Sequence, residues 1–185
     1  MSSFYDAMGR VVALVGACIQ DDTMTQILIW QEVGTVAGAA RTVRANDAGD
    51  DVLTVMEHAW DDDRDWTLVR IHLSALASFT TATVSFAAVT YGLDPVEFLQ
   101  LQDWLPPAVI ALVCASIGLD RLAVHDTICS VVEDRQNLWP TLDALVDLSA
   151  GSIAAIAHRS KQSQMSMLQR FAARSRALML EVDQL

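Results

Sequence analysis

Two short segments of the chain carry side chains whose types and spacing could do chemistry. The first is the run Asp-Asp-Asp-Arg-Asp at residues 61–65. On a helix, Asp61, Asp62 and Asp65 would lie within one turn of each other. Carboxylate oxygens clustered in this way can bind Mg²⁺, and bound Mg²⁺ can in turn hold a diphosphate. The run therefore predicts Mg²⁺ as the cofactor if the protein is an enzyme.

The second segment is residues 125–133, His-Asp-Thr-Ile-Cys-Ser-Val-Val-Glu. Together the two segments resemble the paired metal-binding motifs of class I terpene and prenyl synthases, Asp-Asp-x-x-Asp and Asn/Asp-Asp-x-x-Ser/Thr-x-x-x-Glu. Two positions depart from that pattern, since His125 replaces Asn or Asp and Cys129 replaces Ser or Thr. The resemblance implies an all-helical fold and Mg²⁺-dependent diphosphate chemistry. Its implied ligands are Asp61, Asp62, Asp65, Asp126 and Glu133.

The pair His125–Asp126 also resembles the His-Asp step of HD-type phosphohydrolases. That resemblance implies a metal site completed by one upstream histidine and one downstream aspartate, from among His58, His72, Asp143 and Asp147. The same side chains also have a structural interpretation. An acidic run before a helix is typical of a helix N-terminus, and a single histidine on a mixed helix face usually makes structural hydrogen bonds. Cys129, four residues from His125, is the thiol with a possible activating neighbour.

A third segment bears on nucleic acids. Residues 34–41, Gly-Thr-Val-Ala-Gly-Ala-Ala-Arg, resemble the first two helices of LysR-type helix-turn-helix domains. The recognition helix would then fall on residues 46–51, Asn-Asp-Ala-Gly-Asp-Asp. This window offers carboxylates where DNA bases and phosphates require donors. A degenerate helix-turn-helix regulator is therefore an alternative function, and we do not expect nucleic-acid binding.

Composition predicts one domain with its own core. The chain has 185 residues, of which 52% are hydrophobic, enough to fold without disulfides. Its three cysteines are widely separated, which favours reduced thiols and a cytoplasmic location. The first residues place no basic region ahead of an apolar run, so we expect no secretory signal.

Apolar residues recur at steps of three and four along most of the chain. This spacing predicts an all-α fold, a multi-helix bundle of eight or nine helices without strands. Among them are a second helix from about Met24 to Arg44 and a short helix over Val52–Trp60. Pro140 is expected to open the last long segment.

Two predicted helix junctions share one sequence device. Gly92 and Gly118 are each expected to end a helix in the left-handed conformation. The aspartates that follow, Asp94 and Asp120, are expected to cap the next helices.

A central helix is predicted at about residues 66–91. Residues 73–93 contain no charge, a run long enough to cross a bilayer. Seven of these residues are Ser or Thr, whose hydroxyls can bond carbonyls one turn earlier. We therefore expect a buried central helix, with a membrane span as the alternative.

Charge separates the C-terminal segment from the rest. Residues 1–150 carry 21 acidic and 7 basic side chains, whereas residues 151–185 carry 5 basic and 2 acidic ones. We therefore expect an acidic helical body over 1–160 and a basic amphipathic helix over 161–185. That helix is either packed on the body or exposed to a partner or a second copy, and a membrane-surface helix is a further alternative.

The sequence favours a non-enzymatic protein-interaction or self-association protein that needs no cofactor and forms homo-oligomers or binds another protein. Phenylalanine and arginine, types that anchor interfaces, occur together in the C-terminal helix. The expected interaction residues are Leu168, Arg170, Phe171, Arg174, Leu178 and Val182.

Overall fold

The computed structural model describes residues 4–37, 42–45, 52–55 and 67–182. Within these ranges the chain forms eight helices and one hairpin of two short strands. The all-α helical bundle predicted from the sequence is confirmed. The elements are α1 (Phe4–Ile19), α2 (Thr23–Ala37), β1 (Thr42–Ala45), β2 (Val52–Val55), α3 (Thr67–Tyr91), α4 (Pro95–Gln100), α5 (Pro107–Ile117), α6 (Arg121–Glu133), α7 (Arg135–Ser160) and α8 (Gln164–Val182).

The hairpin replaces helix that the sequence pattern predicted. Strands β1 and β2 pair antiparallel, with Thr42 opposite Val55 and Ala45 opposite Val52. The predicted second helix ends at Ala37 rather than at Arg44, and residues 52–55 of the predicted short helix are a strand. Valine and threonine dominate both strands, and these β-branched types suit an extended backbone. The remainder of that short helix, residues 56–60, lies outside the described residues.

The central apolar helix is α3, and its predicted position is confirmed. It packs against α1, α2, α4, α5, α6 and α7, with its longest interface along α7. The residues at its centre are wholly buried and include Leu73, Leu76 and Phe79. Burial of such side chains contributes about 1.5–3 kcal/mol each, so the middle of α3 contributes substantially to the stability of the bundle.

Several hydroxyls on α3 bond carbonyls one turn earlier, as the sequence predicted, whereas the Thr81 hydroxyl is buried without a hydrogen-bond partner among the described residues. Thr80 donates to the Leu76 carbonyl at 2.8 Å and Thr90 donates to the Phe86 carbonyl at 2.7 Å. The Thr80 hydroxyl also reaches across the helix interface to within 2.9 Å of the Ser149 hydroxyl on α7. The hydroxyls that make these bonds are therefore not left unpaired where α3 is buried.

The helix junctions follow the predicted capping chemistry with one exception. Asp94 accepts from the Val96 backbone N–H at 2.8 Å, and Asp120 accepts from the Ala123 N–H at 3.0 Å. Gly92 is left-handed, with φ of 71°. Gly118 is not, because its φ is −73° and the left-handed residue is Leu119, with φ of 56°. The prediction for Gly118 is therefore wrong, and the strained position falls one residue later.

Pro140 lies inside α7 rather than at its start. The helix begins at Arg135, five residues earlier, after Asp134. Asp134 accepts a hydrogen bond from the Asn137 amide at 2.6 Å. Proline removes one backbone donor and is tolerated best near a helix N-terminus. Pro140 is the sixth residue of α7, beyond the first turn, so one helical hydrogen bond is lost there.

Helix α8 packs on α1 and α7. Met167, Leu168 and Phe171 are buried there. A Cβ atom on Gly16 of α1 would lie 3.1 Å from Leu168 Cδ2, so the absence of a side chain at Gly16 permits this close approach. The first half of α8 thus contributes to the same core as α3.

Candidate interaction site

A groove of about 270 Å³ runs between α3 and α8. Its floor is aromatic. The Phe171 ring lies edge-to-face against the Phe86 ring, with centroids 5.6 Å apart, and 6.4 Å from the Phe79 ring. Phe171 is 8% exposed, whereas Phe86 is 44% exposed and presents much of its ring to the surface. Val89, one turn further along α3, is 72% exposed and extends this apolar strip.

Two arginines form the basic rim of the groove. Arg170 and Arg174 are both exposed and lie one helical turn apart on α8. Arg170 donates to the Gln162 side-chain carbonyl at 3.1 Å. In the part of the chain that the structure describes, neither guanidinium is paired with a carboxylate. Like charges at this spacing repel each other, so the rim favours binding of an anionic group.

The predicted interaction residues divide into two groups. Arg170 and Arg174 are exposed, as an interaction surface requires. Leu168 and Phe171 are buried against α1 and α3, so their larger contribution is to the core of the protein itself. Leu178 and Val182 belong to α8, but the placement of their side chains lies outside the described residues. The apolar stripe of α8 is therefore mainly a packing face.

The structure describes only two of the five candidate Mg²⁺ ligands. Asp61, Asp62 and Asp65 lie outside the described residues. Asp126 and Glu133 are exposed on α6, seven residues apart, which corresponds to about 10 Å along a helix axis. No group of three or more metal-ligating side chains occurs within the described ranges. Magnesium-dependent chemistry stays a prediction from the sequence.

The side chains that an HD-type phosphohydrolase site would need lie in different environments. His125 is exposed on α6, whereas His72 is buried on α3. Asp147 accepts a hydrogen bond from the Cys18 thiol at 3.5 Å. His58 lies outside the described residues. Together with the absence of a metal-ligating group in the described ranges, this dispersal gives the alternative no support.

The thiols differ in environment. Burial, together with the neighbouring Asp147 carboxylate, raises the pKa of the Cys18 thiol to about 12. Burial, with a contribution from Asp94, also raises the pKa of the Cys114 thiol. Because the thiolate is the reactive form, both cysteines are poor nucleophiles. Cys129 lies 3.6 Å from His125 Nε2, on the outer side of α6.

The helix-turn-helix alternative gains nothing from the structure. Strands β1 and β2 flank the window in which a recognition helix would lie, and they leave six residues between them. Six residues form less than two helical turns, too short to cross a major groove with several contacts.

Phe86 and Val89 are two surface residues that we did not predict from the sequence. Both lie on α3, which was expected to be buried all round. Their spacing of three residues places them on one face of the helix, and that face is exposed. No charged residue in this part of the sequence indicated an exposed face.

Other surface grooves lie among the described residues. One of about 500 Å³ lies between α1 and α8, and one of about 330 Å³ lies between α3, α4 and α7. The second includes the exposed side chains Leu101 and Trp104. The α3–α8 groove differs from both because it combines an aromatic floor with two exposed arginines.

Within the described residues, two helices are long and apolar enough to cross a membrane by length and composition, Val69–Tyr91 and Gln136–Ser160. Within the most apolar window of each, 56% and 67% of the residues are buried inside the protein. Buried core helices of soluble proteins can be equally long and apolar, so a membrane span over residues 73–93 stays a prediction from the sequence.

No protein-family model, no curated protein and no solved structure matches this chain.

Proposed function

We propose that the chain is a non-enzymatic protein-interaction protein whose α3–α8 groove binds an apolar, acidic segment of a partner protein. The observation that carries the proposal is the arrangement of Arg170 and Arg174. They lie one turn apart beside an aromatic floor, without a carboxylate partner in the described part of the chain.

The floor of the groove supports docking of side chains rather than of a small molecule. Ligand pockets usually enclose about 300–1,000 Å³, and this groove, at about 270 Å³, is smaller and open along its length. Phe86 and Val89 are apolar side chains that the fold leaves exposed. A leucine or phenylalanine of a partner would remove their apolar surface from water at about 25 cal/mol per Å².

The rim of the groove supports an acidic partner. A guanidinium can donate two parallel hydrogen bonds to one carboxylate, which fixes orientation as well as adding energy. A carboxylate between Arg170 and Arg174 would also remove their mutual repulsion. The net charge of the chain is −11, which opposes large phosphate polyanions, so a short acidic peptide fits better than nucleic acid.

Selection of peptides tests the proposal. A displayed library of peptides of about 15–20 residues, long enough to form marginal helices, is selected on the full-length protein. We expect enriched peptides to combine acidic residues with leucine, phenylalanine or tryptophan at helical spacing. We expect their affinity, measured by fluorescence anisotropy, to fall at least about tenfold for the variant Arg170→Glu/Arg174→Glu, a loss of about 1.4 kcal/mol.

Arg70→Glu is the matched control, because Arg70 is an exposed arginine on α3 and the substitution makes the same charge change away from the groove. It should leave affinity unchanged. Equal affinity for the wild type and the double variant would contradict the proposal. Vesicles of anionic lipid serve as a second probe. If the wild type binds vesicles, the variant Arg170→Glu/Arg174→Glu does not, and no selected peptide depends on the two arginines, the groove recognises a membrane surface instead.

A further inference from the structure

The outer face of α6 carries a pair of metal-ligand side chains that the proposed function does not use. His125 and Cys129 lie one turn apart, and the distance from His125 Nε2 to Cys129 Sγ is 3.6 Å. Helix α6 packs on the bundle through Ile128, Val131 and Val132, which are buried. His125 is exposed and Cys129 is partly exposed, so a solvent ion can reach both donor atoms.

The distance between these two atoms fits one metal in particular. Zinc binds sulfur at about 2.3 Å and imidazole nitrogen at about 2.0–2.1 Å, and at the tetrahedral angle these bonds place the donors about 3.5–3.6 Å apart. Sulfur and nitrogen are ligands that zinc prefers, whereas Mg²⁺ prefers oxygen. The pair can therefore accept zinc with little rearrangement of either side chain.

Two protein ligands leave half of a tetrahedral site unfilled. Structural zinc sites are closed by four protein ligands, and Cys₂His₂ is one of the common sets. Within the described residues, no third or fourth metal ligand joins this pair. A two-fold axis through the metal would bring the same pair from another copy and complete the set, as in any isologous dimer.

The surface beside the pair favours such a contact. Leu122, one turn before His125 on α6, is 70% exposed, and Leu119 at the preceding junction is 85% exposed. Leu119 holds a left-handed backbone, with φ of 56°, while its side chain points into solvent. Two large apolar side chains next to a chelating pair are what a second copy could cover.

We propose that His125 and Cys129 form half of a zinc site that is completed by the same two residues of a second copy of the chain. Each Cys129 thiol releases its proton to solvent as its sulfur binds the metal, and each His125 donates the Nε2 lone pair. No redox change occurs. The site rests on α6 and is independent of the groove between α3 and α8. It departs from the expectation, made from the sequence, that the chain needs no cofactor.

Zinc titration of the full-length protein under a non-thiol reductant tests the proposal. We expect one zinc per two chains by calorimetry, and a doubling of mass by light scattering that a chelator reverses. Replacement by Co²⁺ should give the visible bands of a tetrahedral site with thiolate charge transfer.

Two substitutions and one control assign the ligands. Loss of outer-shell partners alone costs about 10–100-fold in metal affinity, so Cys129→Ser and His125→Ala should each weaken zinc binding by at least about 100-fold and keep the chain monomeric. His158→Ala changes an exposed histidine on α7 and should have no effect. Both ligands are on the surface, so these variants should fold.

Three results would overturn the proposal. If zinc fails to bind, or binds equally to Cys129→Ser and to the wild type, the pair is not the site. If one zinc binds per chain without a change of mass, a second copy does not complete it. The variant Arg170→Glu/Arg174→Glu should keep the zinc-dependent dimer, so failure of the groove proposal and failure of this one are distinguishable.

Discussion

The Thr80 hydroxyl on α3 lies 2.9 Å from the Ser149 hydroxyl on α7, and both side chains are wholly buried. Thr80 Oγ1 also lies 2.8 Å from the Leu76 carbonyl, and Ser149 Oγ lies 2.9 Å from the Leu145 carbonyl. Because each hydroxyl has one proton, one of the two donates to the other, and the other donates to a carbonyl. This small polar network crosses the longest interface of the bundle. It fixes how α3 and α7 lie against each other, because any slide would leave buried hydroxyls unpaired.

The network makes a prediction about stability. Thr80→Val keeps the volume and removes the hydroxyl, so we expect a loss of about 1–2 kcal/mol in the free energy of unfolding. Ser149→Ala should cost about 1 kcal/mol, and the double variant should cost less than the sum because the two residues share one hydrogen bond. Urea denaturation of the four proteins measures this coupling.

Thr90→Val is the control for that cycle. Thr90 bonds only within its own helix in the described structure, to the Phe86 carbonyl, and it lies near the surface. Its loss should change stability by less than about 0.5 kcal/mol. Strict additivity of the Thr80 and Ser149 substitutions would show that their hydroxyls do not interact.

The two junctions that look alike in sequence predict opposite responses to substitution. Gly92 is left-handed, so Gly92→Ala should destabilise by about 1 kcal/mol. Gly118 has a helical backbone, and an added Cβ would meet its nearest atom at an ordinary 3.5 Å. Gly118→Ala should therefore be neutral or stabilise by about 0.4–1 kcal/mol. Thermal unfolding measures both, and equal losses for the two variants would contradict the assignment.

The substitution Leu119→Gly tests whether Leu119 is the left-handed residue of this junction. A left-handed leucine costs about 1–2 kcal/mol, part of which is offset because glycine has more freedom in the unfolded chain. Since the Leu119 side chain is exposed, little packing is lost. We expect a net gain of about 0.5–1 kcal/mol, measured by urea denaturation. A loss of stability would mean that the exposed leucine makes a stabilising contact.

Much of the fold could be predicted from the sequence because its signals are local. The uncharged run with many hydroxyls predicted α3, and the hydroxyl bonds follow from helix geometry at residues such as Thr80 and Thr90. Asp94 and Asp120 cap helices as their positions indicate. These features depend on neighbours within about one turn.

The features of the fold and of the candidate site that could not be predicted depend on contacts between residues that are distant in sequence. Which of Gly118 and Leu119 becomes left-handed depends on where α5 ends, and a shift of one residue leaves the sequence pattern unchanged. The spacing of Val52 and Val55 suits a helix face or a strand, and pairing with β1 decides between them. In the candidate site, the arginines were predicted, but the exposure of Phe86 depends on which face of α3 the other helices leave uncovered.

The Cys18 thiol makes stability depend on pH. Burial and the Asp147 carboxylate raise its pKa from an ordinary 9.0 to about 12. The unfolded chain loses this proton above pH 9.0 while the folded chain keeps it, so this contribution is full below 9.0 and is lost as the pH rises towards about 12. Relative to Cys18→Ala, the wild type should lose stability across this window in urea denaturation. If the free energy of unfolding changes with pH in the same way for the two proteins, the thiol does not contribute to the pH dependence.

Substitutions in α8 should lower the stability of the fold where the side chain is buried, and should leave it nearly unchanged where the side chain belongs to the binding surface. Phe171 is buried against Phe79 and Phe86, so Phe171→Ala should destabilise by about 3 kcal/mol or more. Arg170→Ala and Arg174→Ala remove exposed side chains and should change stability by less than about 0.5 kcal/mol each. Chemical denaturation tests all three. A large loss for either arginine would make the basic rim a part of the folded core rather than a binding surface.

The most direct test of the central claim, that the α3–α8 groove binds an acidic, apolar segment, is a charge exchange across the contact. A peptide selected on the wild type is compared with its twin in which the acidic residues are lysine. Anisotropy measures both peptides against the wild type and against Arg170→Glu/Arg174→Glu. We expect the acidic peptide to bind the wild type at least about tenfold more tightly than the variant, and the lysine peptide to show the reverse preference. If the acidic peptide binds both proteins equally, the arginine rim does not recognise it and the claim is wrong.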